Sequence, residues 1–200
     1  MKKRNPFLKA LFCCLILGAA CVSVACDNDD DDNTPVPEVD DSPKVYSATV
    51  DYKFYVSQDL LDIAYVYVDY IDNRQVKREQ LTSPTWEKTG HVSGVSGVPG
   101  ELGYTVLATQ KPTYNAEKEI YTISYSNTTN AAGQAVSAPF VSLFQEDGTA
   151  FPGNGYTANT VNESFTVEGG KVLKTLEELQ TKPLYNFHCQ VTREGKVSKN

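Results

Sequence analysis

The sequence contains few of the residues that most often carry out enzymatic chemistry. Its 200 residues include two histidines, His91 and His188, and five cysteines. It has no Gly-x-Ser-x-Gly elbow, no His-Glu-x-x-His motif and no glycine-rich phosphate loop followed by lysine. We therefore predict a protein that is not an enzyme, and we assign no catalytic residue, no metal ligand and no cofactor.

Paired acidic residues leave one enzymatic alternative open, a glycoside hydrolase. Such enzymes need two carboxyl groups at a defined separation. Acidic neighbours occur at Glu117/Glu119, Glu146/Asp147 and Glu177/Glu178. Acidic pairs in loops and on helix surfaces are usually solvated, so the hydrolase is the less favoured hypothesis.

Cysteine is scarce in the domain itself. Four of the five cysteines lie within the first 26 residues, and Cys189 follows alone. No intramolecular disulfide is available, so a hydrophobic core must hold the domain. Cys189 lies beside His188, but adjacent strand residues point to opposite faces. We expect Cys189 on the buried face with Phe187 and Val191, as an inert thiol.

The amino-terminal segment has the pattern of a bacterial signal peptide. Basic residues at positions 2–4 precede an apolar run of 16 residues, from Ala10 to Ala25. A spanning helix needs about 20 apolar residues, so residues 1–25 are predicted to be cleaved. The run ends in Ser23-Val24-Ala25-Cys26, which resembles the lipobox of bacterial lipoproteins. That resemblance implies a lipid anchor on Cys26, with Cys21 as the alternative.

Residues 26–43 are predicted to form an acidic, disordered tether. Between Asp27 and Pro43 there are eight acidic residues, three prolines and no basic residue, a composition that favours an extended chain of at most about 55–60 Å. The aspartate run lacks the turn glycine and the distal glutamate of a calcium loop. An acidic run after the lipidated cysteine instead resembles the surface-export signal of Bacteroidota lipoproteins, which implies display on the outer leaflet of the outer membrane.

The negative charge belongs mainly to this tether. The chain has 18 basic and 25 acidic residues, and loss of the signal peptide removes four basic ones and leaves a net charge of −11. Residues 44–200 retain 14 basic and 17 acidic residues, a net charge of −3. The domain lacks the basic surface that nucleic-acid binding requires, so we predict no nucleic-acid partner.

Residues 44–200 are dominated by a period of two, which predicts an antiparallel β-sandwich. The first strand places one apolar face at Tyr46, Ala48, Val50, Tyr52, Phe54 and Val56. Further predicted strands are Ile63–Ile71, Gln75–Leu81, Thr85–Val92, Gly103–Gln110, Glu119–Asn127, Ala138–Gln145, Asn162–Glu168 and Leu184–Arg193. The one predicted helix covers residues 171–180. Many short strands without β-α-β alternation favour a sandwich.

The first half of the domain contains three patterns: Phe54-x-Val56-Ser57-x-Asp59-Leu60-Leu61, Val66-x-Val68-x-Tyr70-x-Asp72 and Trp86-x-Lys88-Thr89. Together they resemble the opening half of small Bacteroidota lipoproteins that carry one immunoglobulin-like domain. The resemblance implies an immunoglobulin-like fold and an envelope location, and it implies no activity. The Cys…Trp…Cys pattern of antibody domains is absent.

Tyrosine is abundant, and all twelve tyrosines follow Lys44. Aromatic rings stack on the apolar faces of sugars and their hydroxyls form hydrogen bonds, so exposed rings suit glycans and protein partners. Tyrosine is also a favoured strand residue, so most of the twelve should fill sheet faces. The ligand-binding candidates are Tyr65, Tyr67 and Trp86 on the first sheet, and Tyr114 and Tyr156 in loops.

These features predict an outer-membrane lipoprotein, facing the cell exterior, whose sandwich is a non-enzymatic binding or accessory module. Its expected partner is a glycan or an envelope protein. The alternative is a structural or adhesion component of the envelope. A shallow aromatic platform would favour glycan binding, and an exposed edge strand with apolar side chains would favour the structural role.

Overall fold

The computed structural model describes residues 40–115, 117–153 and 155–199. The predicted signal peptide, Cys26 and the predicted tether up to residue 39 lie outside the described residues. From Asp41 onward the described residues form one compact unit.

Eleven strands and two short helices lie within this described part. The strands are β1 Ser47–Val56, β2 Ala64–Asp72, β3 Gln75–Gln80, β4 Thr85–Ser93, β5 Gly100–Gln110, β6 Ile120–Ser126, β7 Phe140–Phe144, β8 Tyr156–Thr157, β9 Asn162–Glu168, β10 Tyr185–Val191 and β11 Val197–Lys199. The helices are α1 Gln58–Ile63 and α2 Val172–Leu179, and a 3₁₀ turn, Gly169–Lys171, leads into α2.

The strands form two antiparallel sheets that enclose one hydrophobic core. The six-stranded sheet has the order β8-β7-β1-β6-β9, with β4 also paired to β1, and the five-stranded sheet has the order β11-β10-β5-β2-β3. Every strand pair is antiparallel. The predicted all-β sandwich is confirmed.

The alternating pattern of β1 explains its central position. Ala48, Val50, Tyr52 and Phe54 are buried in the core, and β4 pairs with β1 along almost its whole length while β7 and β6 share the opposite edge. Tyr46 was predicted to lie on the same buried face, and this prediction is wrong. It precedes β1 and is 43% exposed.

The predicted hairpin between β2 and β3 is confirmed. Asp72 pairs with Gln75, which leaves a two-residue loop of Asn73 and Arg74 with φ angles of 48° and 62°. Positive φ at both loop positions is the type I′ geometry that matches the twist of the flanking strands. The Arg74 guanidinium donates a hydrogen bond to the Pro99 carbonyl at 3.2 Å, which ties the loop to the segment before β5.

The predicted helix near residues 171–180 is confirmed as the 3₁₀ turn and α2. The structure also contains α1, which the sequence pattern did not predict. The Ser57 side chain caps α1 by accepting a hydrogen bond from the Leu60 amide at 3.2 Å. Leu60, Leu61 and Ile63 are buried. Ile63 was predicted to begin β2, and it ends α1 instead.

Two tyrosines connect the sheets through their hydroxyl groups. The buried Tyr52 hydroxyl, from β1, accepts a hydrogen bond from the Gly103 amide and donates one to the Ile71 carbonyl, both at 2.8 Å. The Tyr104 hydroxyl, from β5, donates to the Lys53 carbonyl of β1 at 2.8 Å. Burial disfavours the charged phenolate and raises the pKa of both side chains. We call this pair the reciprocal tyrosine bridge.

A glycine makes room for the bridge. A Cβ atom at Gly90 of β4 would lie 2.6 Å from the Cζ atom of Tyr52. No larger residue fits there unless the ring moves, so Gly90 permits the close approach of β4 to the Tyr52 ring.

Removing one hydroxyl from the bridge should destabilise the fold. Tyr52→Phe leaves the Gly103 amide and the Ile71 carbonyl buried without their partner, so we expect the free energy of unfolding to fall by about 1–3 kcal/mol. Tyr46→Phe is the matched control, because Tyr46 is exposed, and it should change stability by less than about 0.5 kcal/mol. Urea denaturation of the chain from Asp27 onward measures both. Equal stability of the two variants would contradict the bridge.

Candidate functional site

A pair of tyrosines lies on the outer face of the five-stranded sheet. Tyr65 and Tyr67 are two residues apart on β2, and both are half-buried. Their ring centroids are 6.5 Å apart with 45° between the ring planes. The register places Leu107 of β5 opposite Tyr67 on the same face. We call Tyr65, Tyr67, Leu107 and the flanking Arg78 and Lys111 the tyrosine platform.

The alternation of β2 exposes these rings. Ala64, Val66 and Val68 point into the core, so the tyrosines between them face outward. β2 lies between β3 and β5 and is hydrogen-bonded on both edges. The platform therefore rests on a strand that is fixed on both sides.

Two cations border the platform, and each is held in place by a second contact. The Arg78 Cζ atom lies 5.8 Å from the Tyr67 ring centroid, and the Lys111 Nζ atom lies 5.4 Å from the Tyr65 centroid. Arg78 also donates to both carboxylate oxygens of Asp69 at 2.6 Å, which raises the pKa of the guanidinium. Lys111 donates to a neutral group, the Leu61 carbonyl, at 2.6 Å.

A polar row continues the same face beyond the platform. The register aligns Asp69, Thr105 and Asn186 across β2, β5 and β10. The Thr105 hydroxyl donates to the Asn186 Oδ1 atom at 2.7 Å, and it lies 3.3 Å from His188 Nε2. Burial lowers the pKa of His188, which favours the uncharged imidazole at neutral pH. Hydrogen-bonding groups thus lie beside the aromatic pair.

Trp86 does not belong to this surface, and its predicted exposure is wrong. It lies on β4 of the other sheet, opposite Phe54, and is only 6% exposed. Its ring stacks on Tyr52 with 6.3 Å between centroids and 18° between planes. The indole N–H donates to the Glu79 Oε2 atom at 3.0 Å. Trp86 is buried because β4 pairs with β1 and places Trp86 opposite Phe54 on the core side of the sheet. The alternation in the sequence did not reveal which face of β4 is turned to the core.

The two remaining candidates lie apart from the platform and are half-buried. Tyr114 lies in the loop after β5, as predicted, and packs edge-on against Tyr121 at 6.4 Å. Tyr156 was predicted to lie in a loop, but it begins the short strand β8 and stacks on Phe187 at 6.1 Å. The structure therefore brings together only Tyr65 and Tyr67 of the five predicted residues.

The environment of Cys189 matches the predicted inert thiol. Phe187, Cys189 and Val191 are buried on one face of β10, and His188 lies on the other. Burial raises the pKa of the Cys189 thiol to about 12. A thiol with that pKa is protonated at neutral pH and does not act as a nucleophile.

The acidic pairs considered for hydrolysis lie at the surface, where Glu117, Glu119, Glu146, Asp147, Glu177 and Glu178 are all exposed. Across the described residues, no three His, Cys, Asp or Glu side chains are grouped so that they could hold a metal ion. In the same part of the chain, no helix has the length and apolar composition that crossing a membrane requires.

Comparisons with protein-family models, with curated proteins and with solved structures found no match to this chain.

The Cys189 thiol should resist modification in the folded protein. In the chain from Asp27 onward it is the only cysteine, so thiol reaction with an aromatic disulfide reagent at pH 8 reports on it alone. We expect a rate at least on the order of 100-fold below that of a Thr109→Cys, Cys189→Ser variant, whose thiol is on an exposed position of β5. Both proteins should react equally in guanidinium chloride. Rapid labelling of native Cys189 would contradict its burial.

Proposed function

We propose that this protein is a lipid-anchored outer-membrane lipoprotein, facing the cell exterior, that binds glycans non-enzymatically through the tyrosine platform. One observation carries the binding role: Tyr65 and Tyr67 share one solvent-facing surface on a strand that is fixed on both edges. The signal-peptide pattern, Cys26 and the acidic run after it support the location.

The geometry of the aromatic pair suits a polymer better than a single sugar. A sugar ring stacks on one aromatic face at a time, and the two ring planes differ by 45°. The pair therefore fits successive sugars whose planes turn along the chain. Neighbouring hydroxyl and amide groups of Thr105 and Asn186 offer hydrogen bonds to the same ligand.

The bordering cations favour an acidic glycan. Asp69 neutralises Arg78 at short range, but Lys111 is held by a carbonyl and has no ion pair among the described residues. A uronic-acid carboxylate beside Tyr65 would supply the missing counter-charge. This local positive charge belongs to a domain whose residues 44–200 carry a net charge of −3.

The structural alternative has less support, because two of the edge strands, β9 and β3, carry mainly polar side chains, with Val76 of β3 as the exposed apolar exception. β9 ends the six-stranded sheet with Asn162, Ser164, Thr166 and Glu168 exposed. At the edge of the other sheet, β3 has the sequence Gln-Val-Lys-Arg-Glu-Gln. Charged and polar edges disfavour strand addition, so glycan binding is the better supported function.

Glycan binding should depend on the platform tyrosines. In affinity electrophoresis of the chain from Asp27 onward, we expect retardation by acidic polysaccharides. Tyr65→Ala and Tyr67→Ala should each weaken binding roughly five- to tenfold, in proportion to about 1 kcal/mol of lost stacking. Tyr46→Ala is the matched control, since Tyr46 is an exposed tyrosine that directly precedes β1 of the other sheet. No retardation by any polysaccharide would refute the glycan role. Trp86 fluorescence is unsuitable as the readout, because Trp86 is buried.

Surface display should depend on Cys26. Protease added to intact cells should remove the domain from the wild-type protein and from Cys21→Ser. Cys26→Ser should leave no domain attached to the cell surface, because the anchor is lost. Protection in intact cells with cleavage after lysis would place the domain in the periplasm instead.

A further inference from the structure

A cleft of about 390 Å³ opens at one end of the six-stranded sheet, away from the tyrosine platform. Its walls come from the end of β1, the start of α1, β6, the start of β9 and the turn after β6. We call it the polar cleft. Its lining residues include Tyr55, Ser57, Ser124, Ser126, Asn162 and Ser164.

Three side chains in the cleft have unused hydrogen-bonding capacity. Ser124 pairs with Ser164 across β6 and β9, and Ser126 pairs with Asn162 in the same register, so these side chains share one face. The hydroxyls of Ser124 and Ser164 and the amide of Asn162 form no hydrogen bond with other described residues. Their donors and acceptors are therefore available to a ligand.

The surrounding groups are already satisfied, which fixes the shape of the walls. The Ser57 side chain accepts hydrogen bonds from the amides of Leu60 and Ser124 at 3.2 and 3.0 Å. The Ser126 side chain accepts from the amides of Thr128 and Thr129 at 3.0 and 2.9 Å. The cleft thus combines rigid walls with free polar groups, as a preorganised binding site does.

The cleft is uncharged. Among the described residues that line it, none is Asp, Glu, Lys, Arg or His. Its two tyrosines belong to the walls: Tyr125 packs on the core and stacks on Phe54 with 20° between planes, and Tyr55 is held by a hydrogen bond to Glu87 at 2.5 Å. An anionic ligand would find no counter-ion among the lining residues, whereas a neutral molecule with many hydroxyls matches the free polar groups.

We propose that the polar cleft is a second binding site that accepts a neutral mono- or disaccharide. Its volume lies within the range of about 300–1,000 Å³ typical of small-ligand sites. A sugar hydroxyl both donates and accepts hydrogen bonds, as Ser124, Ser164 and Asn162 require of their partners. This site is separate from the tyrosine platform, since it belongs to the other sheet, and it does not depend on acidic-glycan binding there.

The experiment uses ¹⁵N-labelled chain from Asp27 onward and a panel of neutral disaccharides with gluco, manno and galacto configurations, with trigalacturonic acid as the charged probe. We expect at least one neutral disaccharide to shift the amide resonances of Ser124, Asn162 and Ser164 in a saturable way. Trigalacturonic acid should leave those resonances in place. Absence of any shift with the whole neutral panel, or shifts confined to other residues, would overturn the proposal.

A matched pair of double variants tests the residues. Ser124→Ala with Ser164→Ala removes both free hydroxyls and should weaken neutral-disaccharide binding about tenfold, because two hydrogen bonds to the sugar are lost. Thr122→Ala with Thr166→Ala changes the next cross-strand pair on the same face of β6 and β9, outside the cleft, and should leave the dissociation constant unchanged. Equal affinity of both double variants would refute the assignment.

A second variant keeps the test independent of folding. Asn162 is exposed, so Asn162→Asp should retain the fold while it removes an amide donor and adds charge to the uncharged cleft. We expect a loss of at least fivefold in neutral-disaccharide affinity. Tyr65→Ala should bind the neutral disaccharide as tightly as the wild type does. Loss of binding in Tyr65→Ala together with full retention in Asn162→Asp would place the sugar at the tyrosine platform and overturn the cleft proposal.

Discussion

The fold depends on how two buried tyrosines connect the sheets, because the described residues contain a single cysteine, Cys189. Tyr52 and Tyr104 each cross the core and place the hydroxyl against backbone groups of the opposite sheet. Burying a hydroxyl costs free energy unless it forms a hydrogen bond. These contacts therefore stabilise the fold and also fix the position of one sheet relative to the other. Burial raises the pKa of both phenols, so the bridge stays neutral and intact across the physiological range.

A second connection lies at the periphery and determines the position of Trp86. Burial opposes ionisation of Glu79 on β3, but hydrogen bonds from Trp86, Lys88 and Tyr70 outweigh it and hold the pKa of the carboxyl below its ordinary value. Trp86 and Lys88 belong to β4 of the other sheet, so the carboxylate links the two layers. Trp86 is therefore part of the scaffold, and of the three aromatic candidates predicted on the first sheet only Tyr65 and Tyr67 face outward.

Local patterns in the sequence predicted the architecture, but only part of the candidate site. Alternation identified Tyr65 and Tyr67, and the two-residue loop at Asn73 and Arg74 implies the register that places Arg78 opposite Asp69. Lys111 reaches Tyr65 only because β5 pairs with β2 across a long connection, which no local pattern encodes. The predicted exposure of Trp86 was wrong for the same reason, since the pairing of β4 with β1 determines which face of β4 is turned to the core. The short helix α1 was not predicted, because its buried leucines lie directly before β2 and are as apolar as the strand residues that follow.

The proposed sites have a geometric consequence for how the domain would engage a polymer. The tyrosine platform lies on the outer face of one sheet, and the polar cleft belongs to the other. Outer faces of a sandwich point in opposite directions, so one straight glycan segment cannot occupy both sites. Each domain would instead connect two segments, one acidic and one neutral. If many copies share one membrane, as the proposed location requires, they would bind cooperatively, since each bound site raises the effective concentration of ligand at the next. Weak individual sites are sufficient for such retention.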